Sequence, residues 1–467
     1  MLRVKSRFLV LTVTAGIAAL SMTGCNDGSK SREENRPNII VVSIDTLRAD
    51  RVSGYGYPEA LTPNVDLLVD GGVVFERAVT PSGTTWPSHA SMLTGLYPRY
   101  HGVRSNTHKL KDEVGSVAEI LQSAGYQTGS FISFKGMHFL CGLDRGFDAA
   151  SDRERRGPDD KAIREGRETT DMALEWLDSV DESGQPVFMW FHLFEPHGPY
   201  DLTQYSRKWM DDSGYDGVLA DQGATMELLL EHTGELKKRS EDRKALNVLY
   251  DGEVALADRY LGEIIDSLDR SGRLDNSIVI FTSDHGQGLG EGGKMGHGSV
   301  LWEQVLHIPL VVRDFRSRSR IDRVEQTVGL IDVAPTILDF ALGIALPDSQ
   351  GRSLAAVLAG EHPEPQEYMA EIALRDENEV GDWYDSDALA VYTEGLKFVF
   401  RKDSFNVFET GEKPASVRHV EKDDSIRALA EYARSVAGEF LTGEMAPQNA
   451  ELAESDIEAL RSLGYLQ

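Results

Sequence analysis

The run Asn38-Ile-Ile-Val-Val-Ser-Ile44, closed by Asp45, constrains the fold more than any other stretch of the chain. Its apolar residues are consecutive rather than alternating, so a strand made from them is buried on both faces. That is the habit of a parallel sheet with helices on either side. Pro186-Val-Phe-Met-Trp-Phe191 repeats the pattern and ends in His192, and Ser277-Ile-Val-Ile-Phe281 repeats it and ends in Thr282-Ser283-Asp284-His285. Polar side chains at the carboxyl ends of such strands stand where open α/β sheets bind ligands. Val73–Val79 and Gln127–Ser133 read as further strands. Helical spacing follows Thr62-Pro63 up to the Gly71-Gly72 stop, and again over Ser116–Ala124, Thr170–Leu177 and Tyr250–Leu268, which supplies covering layers.

The stretch Thr80–Val103 carries the densest chemistry. A small-residue turn (Ser82, Gly83, Thr84, Thr85) leads to Pro87 and Ser88, which open a helix towards Gly95. The hydroxyls of Thr84, Thr85 and Ser88 then lie beside unpaired helix N–H groups, a place that holds an anion or favours an oxygen losing its proton. Taken alone, it is equally an ordinary hydroxyl cap.

These residues carry a family resemblance. Thr85-Trp86-Pro87-Ser88-His89-Ala90-Ser91-Met92-Leu93-Thr94-Gly95 resembles the sulfatase signature, Cys/Ser-x-Pro-x-Arg followed by a small-residue helix, and Tyr97-Pro98 and His101-Gly102 continue the match. The resemblance implies an alkaline phosphatase superfamily fold: an α/β protein with a large, mostly parallel mixed sheet between helices and a small C-terminal antiparallel sheet plus helix. Two departures bear on mechanism. The family's Cys or Ser, oxidised to formylglycine, is Thr85 here, and its Arg is His89. Thr cannot become formylglycine, so Thr85 instead resembles the nucleophile of phosphodiesterase and phosphoethanolamine-transferase relatives.

The same resemblance implies roles elsewhere. Asp45, with Thr46 where the family has a second Asp, and Asp284-His285 correspond to the metal pocket. Lys135 and His138 sit where sulfatases touch the anion, and His197, in Glu195-Pro196-His197, corresponds to the histidine that protonates the leaving oxygen. His297 stands near a family sulfate-binding Lys, while Gly142–Asp148, Gly296–Val312 and Gly329–Leu342 also match. Asp45, Asp284, His285 and the Thr85 oxygen are thus expected to hold one divalent cation, with Zn²⁺, Mn²⁺ or Mg²⁺ suiting the set better than Ca²⁺. His89 and His297 are expected to grip the non-bridging oxygens. Glu195, His197 and His297 offer a second, weaker metal set.

The N-terminus gives an address. Arg3, Lys5 and Arg7 precede an apolar run that ends at Met22-Thr23-Gly24-Cys25, which resembles a bacterial lipoprotein box acylated at Cys25. Residues 1–25 are therefore expected to be a signal, 26–37 a tether, 38–358 the catalytic domain and 359–467 a small α+β subdomain. The protein is expected in a bacterial cell envelope, held to the membrane by lipid and facing the periplasm or the exterior. With Cys25 acylated, Cys141 is the one cysteine left free to pair, so no internal disulfide supports the fold. A formal charge of −28 argues against a nucleic-acid partner. The expected partner is a sulfated or phosphorylated small molecule, glycan or lipid. Three readings follow: a metal-dependent ester hydrolase, which is preferred, a phosphodiesterase or phosphoethanolamine-type transferase, and a non-catalytic binding scaffold.

Overall fold

Side-chain parity along one strand divides the core in two. In the computed structural model the first apolar run is strand β1 (Asn38–Ile44), buried at every position. Ile39 and Val41 join one hydrophobic cluster and Ile40 and Val42 another, as successive residues of a doubly covered strand must. The described residues are 36–152, 162–180, 184–225, 228–229, 239–291, 295–298, 300–317, 323–361, 363–372, 388–401, 404–410, 417–419, 423–443 and 445–462. The signal, Cys25 and nearly all of the tether lie outside them.

Around β1 the chain builds an eight-stranded sheet. Its other strands are β2 (Val73–Phe75), β3 (Gln127–Ile132), β4 (Ala149–Ala150), β5 (Val187–Leu193), β6 (Ser277–Ser283), β7 (Leu310–Asp314) and β8 (Arg323–Val324). The spatial order is β8-β2-β7-β6-β1-β5-β3-β4. β1 runs parallel to both neighbours, pairing Ser43 with His192 on β5 and Ile44 with Ser283 on β6; β7 is antiparallel to β6 and β2. The sheet is mixed and mostly parallel, as expected, and the strand ends that carry Asp45, His192 and Asp284 are brought side by side.

Helices cover each face. α1 (Pro63–Val69), α4 (Gly166–Ser179) and the 31-residue α5 (Ser240–Arg270) bury their apolar stripes with Val42, Met189 and Phe281. α2 (Thr85–Thr94), α3 (Val117–Ser123) and α6 (Val333–Leu342) cover the other face, with Ile39, Trp190 and Ile280. α3 starts at a reciprocal cap in which Ser116 and Glu119 satisfy each other's backbone N–H.

One expected strand divides. Val73–Val79 is not continuous: Val73–Phe75 stays in the large sheet, while Ala78–Val79 pairs with His307–Ile308 and Val328–Gly329 in a separate three-stranded sheet. The partner strand breaks too, because Pro309, between Ile308 and Leu310, has no N–H for a ladder bond.

The C-terminal region forms an antiparallel sheet of five strands in chain order: β9 (Tyr368–Glu371), β10 (Leu389–Thr393), β11 (Leu396–Arg401), β12 (Ser404–Thr410) and β13 (Val417–His419). Helix α7 (Asp424–Phe440) packs on it through Ala430, Ala433, Ala437 and Phe440. Buried charge pairs tie this sheet to the rest: Lys397 Nζ meets Glu303 Oε2 at 2.8 Å, and Glu371 Oε2 takes Arg99 and Arg104 at 3.2 Å each. Both guanidiniums come from the segment just after α2, so the sheet braces the helix that carries Thr85.

Candidate active site

β1 ends where the chain turns sharply. Thr46 has φ 57°, a left-handed conformation that a β-branched residue adopts only under constraint, at roughly 1–3 kcal/mol. The constraint is visible. The Tyr250 hydroxyl on α5 donates to the Thr46 carbonyl (2.8 Å) and accepts the Arg48 N–H (2.9 Å), while the Thr46 N–H donates to Asp284 Oδ1 (3.1 Å). The strained turn thereby locks the end of β1 to the end of β6.

Asp45 and Asp284 face each other there, both with no solvent exposure. Asp284 Oδ1 is satisfied by the Thr46 and His285 N–H groups, but Asp284 Oδ2 and both oxygens of Asp45 have no hydrogen-bond partner among the described residues. Burial drives both carboxyls upward, that of Asp45 well above the carboxylate range with further pressure from Asp284. Asp284 is pushed from 3.8 to about 6.

His285 completes the group. Its Nδ1–H donates to the Gly286 carbonyl (3.1 Å), so the lone pair of the neutral ring is on Nε2. That Nε2 lies 3.3 Å from Asp284 Oδ2 and 3.4 Å from Thr85 Oγ1. Burial lowers the ring to about 4, which keeps the lone pair. One ligand atom each from Asp45, Asp284 and His285 falls within 4.8 Å of the others. Buried acceptors facing one another need a proton or a cation between them, and two carboxylates with one imidazole are a fitting donor set for a cation.

α2 begins two residues earlier than expected, with Thr85 in its first turn and Pro87 at a position whose N–H is unused within the helix. Gly83 is needed beside it: a Cβ there would stand 2.8 Å from the Gly298 carbonyl oxygen, and the Gly298 N–H bonds the Gly83 carbonyl at 2.7 Å. This close approach brings the His297 loop to the helix start. Ser88 departs from expectation, because its hydroxyl is tied back to the Ser82 carbonyl (2.8 Å) and serves the turn.

The histidines expected to hold an anion are differently engaged. His89 Nδ1 donates to the Thr85 carbonyl (2.9 Å), and its Nε2 accepts from Ser43 Oγ (3.1 Å). His297 Nδ1 donates to Gln287 Oε1 (2.6 Å) and His197 Nδ1 to the Gly198 carbonyl (2.6 Å). Burial holds all three below the usual imidazole range, His197 at about 3. Burial thus favours the neutral rings, and proton donation by His197 or an anion grip by His89 and His297 requires something that favours the charged forms. An arriving anion would favour the charged forms.

His138 is fully buried, shares a 2.7 Å hydrogen bond with Ser130 on β3 and stands edge-on to Trp190. Lys135 is buried in the turn before it, its N–H on the Ala162 carbonyl. Glu195, His197 and His297 do not gather as a second metal set. Glu195 Oε1 takes the Gly166 N–H at 2.8 Å, and the one dense ligand group among the described residues is Asp45, Asp284 and His285.

Sequence reading missed several supports. Ser43 Oγ is a hub that accepts Trp190 Nε1–H at 2.9 Å and touches both His89 and His192. Its signal was visible, a lone hydroxyl on an apolar strand two residues before Asp45. His192 donates Nδ1–H to the Ser43 carbonyl (3.1 Å), turning Nε2 to 3.9 Å from Asp45 Oδ2. Asn106 accepts the Trp86 N–H at 2.8 Å and keeps a buried amide NH₂ with no partner among the described residues.

Comparison with known proteins agrees with this geometry. The family described as Sulfatase matches residues 37–344. An N-acetylglucosamine-6-O-sulfatase of Bacteroides thetaiotaomicron is 25% identical over 437 residues, covering 76% of this chain and 77% of that protein. The multifunctional alkaline phosphatase superfamily protein PehA of Trinickia caryophylli is 26% identical over 409 residues, covering 70% and 78%. Among solved structures, the phosphonate monoester hydrolase of Agrobacterium radiobacter superposes with a TM-score of 0.67 at 20% identity, covering 87% of this chain and 96% of that one.

The raised carboxyls give a pH signature. Metal-free folded protein keeps the Asp284 proton up to about pH 6, above its unfolded value, so this group's contribution to metal-free stability falls as pH rises through 6. A cation must displace that proton, so binding strengthens over the same window. The zinc-induced rise in Tm is expected to be small at pH 5 and larger at pH 7.5, and Asp284→Asn to lower bound metal at both. Equal zinc-induced shifts at the two pH values, or undiminished metal in Asp284→Asn, would contradict the site.

Proposed function

The chain belongs to the sulfatase family of sulfuric ester hydrolases, and on that premise we propose that it cleaves a sulfate, phosphate or phosphonate ester with Thr85 as nucleophile and one divalent cation. The observation that carries the reading is the convergence of the Asp45 oxygens and Asp284 Oδ2, partnerless among the described residues, on His285 Nε2, itself 3.4 Å from the Thr85 hydroxyl. Asp45, Asp284 and His285 would hold the cation, which lowers the pKa of a neighbouring hydroxyl and offsets charge on ester oxygens. An imidazole among the donors favours Zn²⁺ or Mn²⁺ over Ca²⁺ and, less strongly, over Mg²⁺.

This chain's own residues supply the rest. Thr85 Oγ attacks sulfur or phosphorus as its proton passes to solvent, the bond to the alcohol oxygen breaks opposite, and the alcohol leaves protonated. Water then cleaves the Thr85 ester and restores the hydroxyl. The Thr85 carbonyl holds the ring of His89, which in turn takes the Ser43 proton, so His89 positions the nucleophile's helix. The Asn106 amide faces no competing acceptor among the described residues and suits a non-bridging oxygen. His197 meets the leaving oxygen and can donate once an anion has raised its basicity.

A second reading, phosphodiester cleavage or transfer of a phosphoryl-alcohol group, is favoured by the threonine itself. Activity on aryl sulfate, aryl phosphate and aryl phosphodiester, compared on one metal-loaded sample, separates the two. Thr85→Ala is expected to lower kcat by about three orders of magnitude or more with metal retained, and Thr85→Ser to recover part of it. Activity in Thr85→Ala within about tenfold of the parent would remove Thr85 as nucleophile.

For location, residues 1–25 support acylation at Cys25 and residence in a bacterial cell envelope. Labelled palmitate is expected to enter the parent chain in a bacterial host and not Cys25→Ser. Labelling of neither would leave a plain secretory signal.

A further inference from the structure

A cleft of about 820 Å³ opens beside the centre, sharing His197 with it. His197 is stacked on Phe194 (4.3 Å between ring centroids), which also lines the cleft, and meets His297 edge-on at 5.0 Å. His297 lies 4.6 Å from His285, so the cleft begins a few rings from Thr85, on the side assigned to the leaving alcohol.

Its wall is acidic. Glu165, Glu195, Asp201 and Glu253 all contribute. Two guanidiniums also line it: Arg164 is paired with Asp152 at 2.6 Å and with Glu168 of the wall at 3.2 Å, and Arg259 with Glu263 at 3.4 Å, which leaves Glu195 and Glu253 without a cation. Glu253 is only 4% exposed, and the one hydrogen bond of its carboxyl among the described residues is from the Asp201 N–H to Oε1, 2.9 Å. Glu195 Oε2 is buried and has no partner among them. Burial and the neighbouring Glu195 push Glu253 up to about 8. A buried Glu253 carboxyl beside the unsatisfied Glu195 Oε2 on one wall calls for a positive partner.

A metal ion does not fit that role. An ion draws its ligands into one tight shell, and the only such group among the described residues is Asp45, Asp284 and His285. The volume is instead that of a small organic ligand site. We infer that this cleft takes the alcohol half of an ester that carries an ammonium group, so that the substrate is zwitterionic, with its anionic end at Thr85 and its cationic end at Glu253 and Glu195. The inference rests on the hydrolase reading for the position of the ester. It also accounts for how a chain of charge −28 draws in an anionic ester: the substrate's other end is attracted.

The test is calorimetric titration of the metal-loaded full chain with two matched pairs, choline against 3,3-dimethylbutan-1-ol and glucosamine against glucose. At least one cation is expected to bind about tenfold or more tightly than its neutral partner, close to 1.4 kcal/mol. Choline as the preferred cation assigns a small amino alcohol, and glucosamine an amino sugar. Glu253→Gln is expected to remove the preference while leaving aryl ester turnover at the parent rate, and Glu195→Gln provides a second variant should the first not fold. Equal binding within both pairs, or a preference that survives both substitutions, overturns the inference. Missing aryl ester turnover in the parent chain would count against the hydrolase reading alone, because the binding comparison needs no turnover.

Discussion

Two buried carboxylates held face to face without a counter-charge are the constraint on which the rest of this structure turns. Asp45 and Asp284 have no solvent exposure, and three of their four oxygens have no hydrogen-bond partner among the described residues. Such a pair is unfavourable by several kcal/mol unless something positive sits between them. The surroundings sharpen the demand: His285 turns a lone pair, not an N–H, towards the same space. A chain evolving for stability alone would replace these groups with apolar ones, so their presence marks chemistry.

The fold holds the pair by a short list of devices. Parallel pairing of β1 with β5 and β6 aligns three strand ends, and the strained Thr46 turn, fastened by Tyr250, cross-links two of them. Ser43 satisfies its full hydrogen-bonding capacity with Trp190, His89 and His192, which fixes the layer under the carboxylates. The imidazoles of His89, His192, His197, His285 and His297 all give their Nδ1–H to an oxygen. A shared tautomer of that kind leaves the Nε2 lone pairs as acceptors, that of His89 taken by Ser43 Oγ–H and that of His285 turned to the carboxylates. A cation held by Asp45, Asp284 and His285, rather than the imidazoles, would then be the main positive charge offered to an anionic ester.

Much of this was legible in the sequence. Continuous apolar runs gave the central strands to within two residues, because double burial leaves no room for polar positions until the strand ends. Asp45, Asp284 and His285 were readable for the same reason, as the first titratable residues after those runs. Thr85 stood out through its small-residue turn and the following Gly95, which closes the helix with φ 70°. What was hidden depends on contacts distant in sequence. The division of Val73–Val79 follows its pairing with His307–Ile308 and Leu310–Asp314 on either side of Pro309, the engagement of His89 is set by Ser43, and the positioning of Asn106 by the Trp86 N–H. Protonation was hidden too, since depth of burial, not residue type, makes His197 neutral.

The central claim is that one divalent cation sits between Asp45, Asp284 and His285 against the Thr85 hydroxyl. Anomalous diffraction from crystals of the full chain grown with zinc, collected on both sides of the zinc absorption edge, tests it most directly. The account predicts one strong peak at about 2.0–2.2 Å from a carboxylate oxygen of each Asp and from His285 Nε2, with Thr85 Oγ the nearest hydroxyl. Zinc at Glu195 and Glu253 instead, or no peak between Asp45 and Asp284 in zinc-saturated protein, would contradict it.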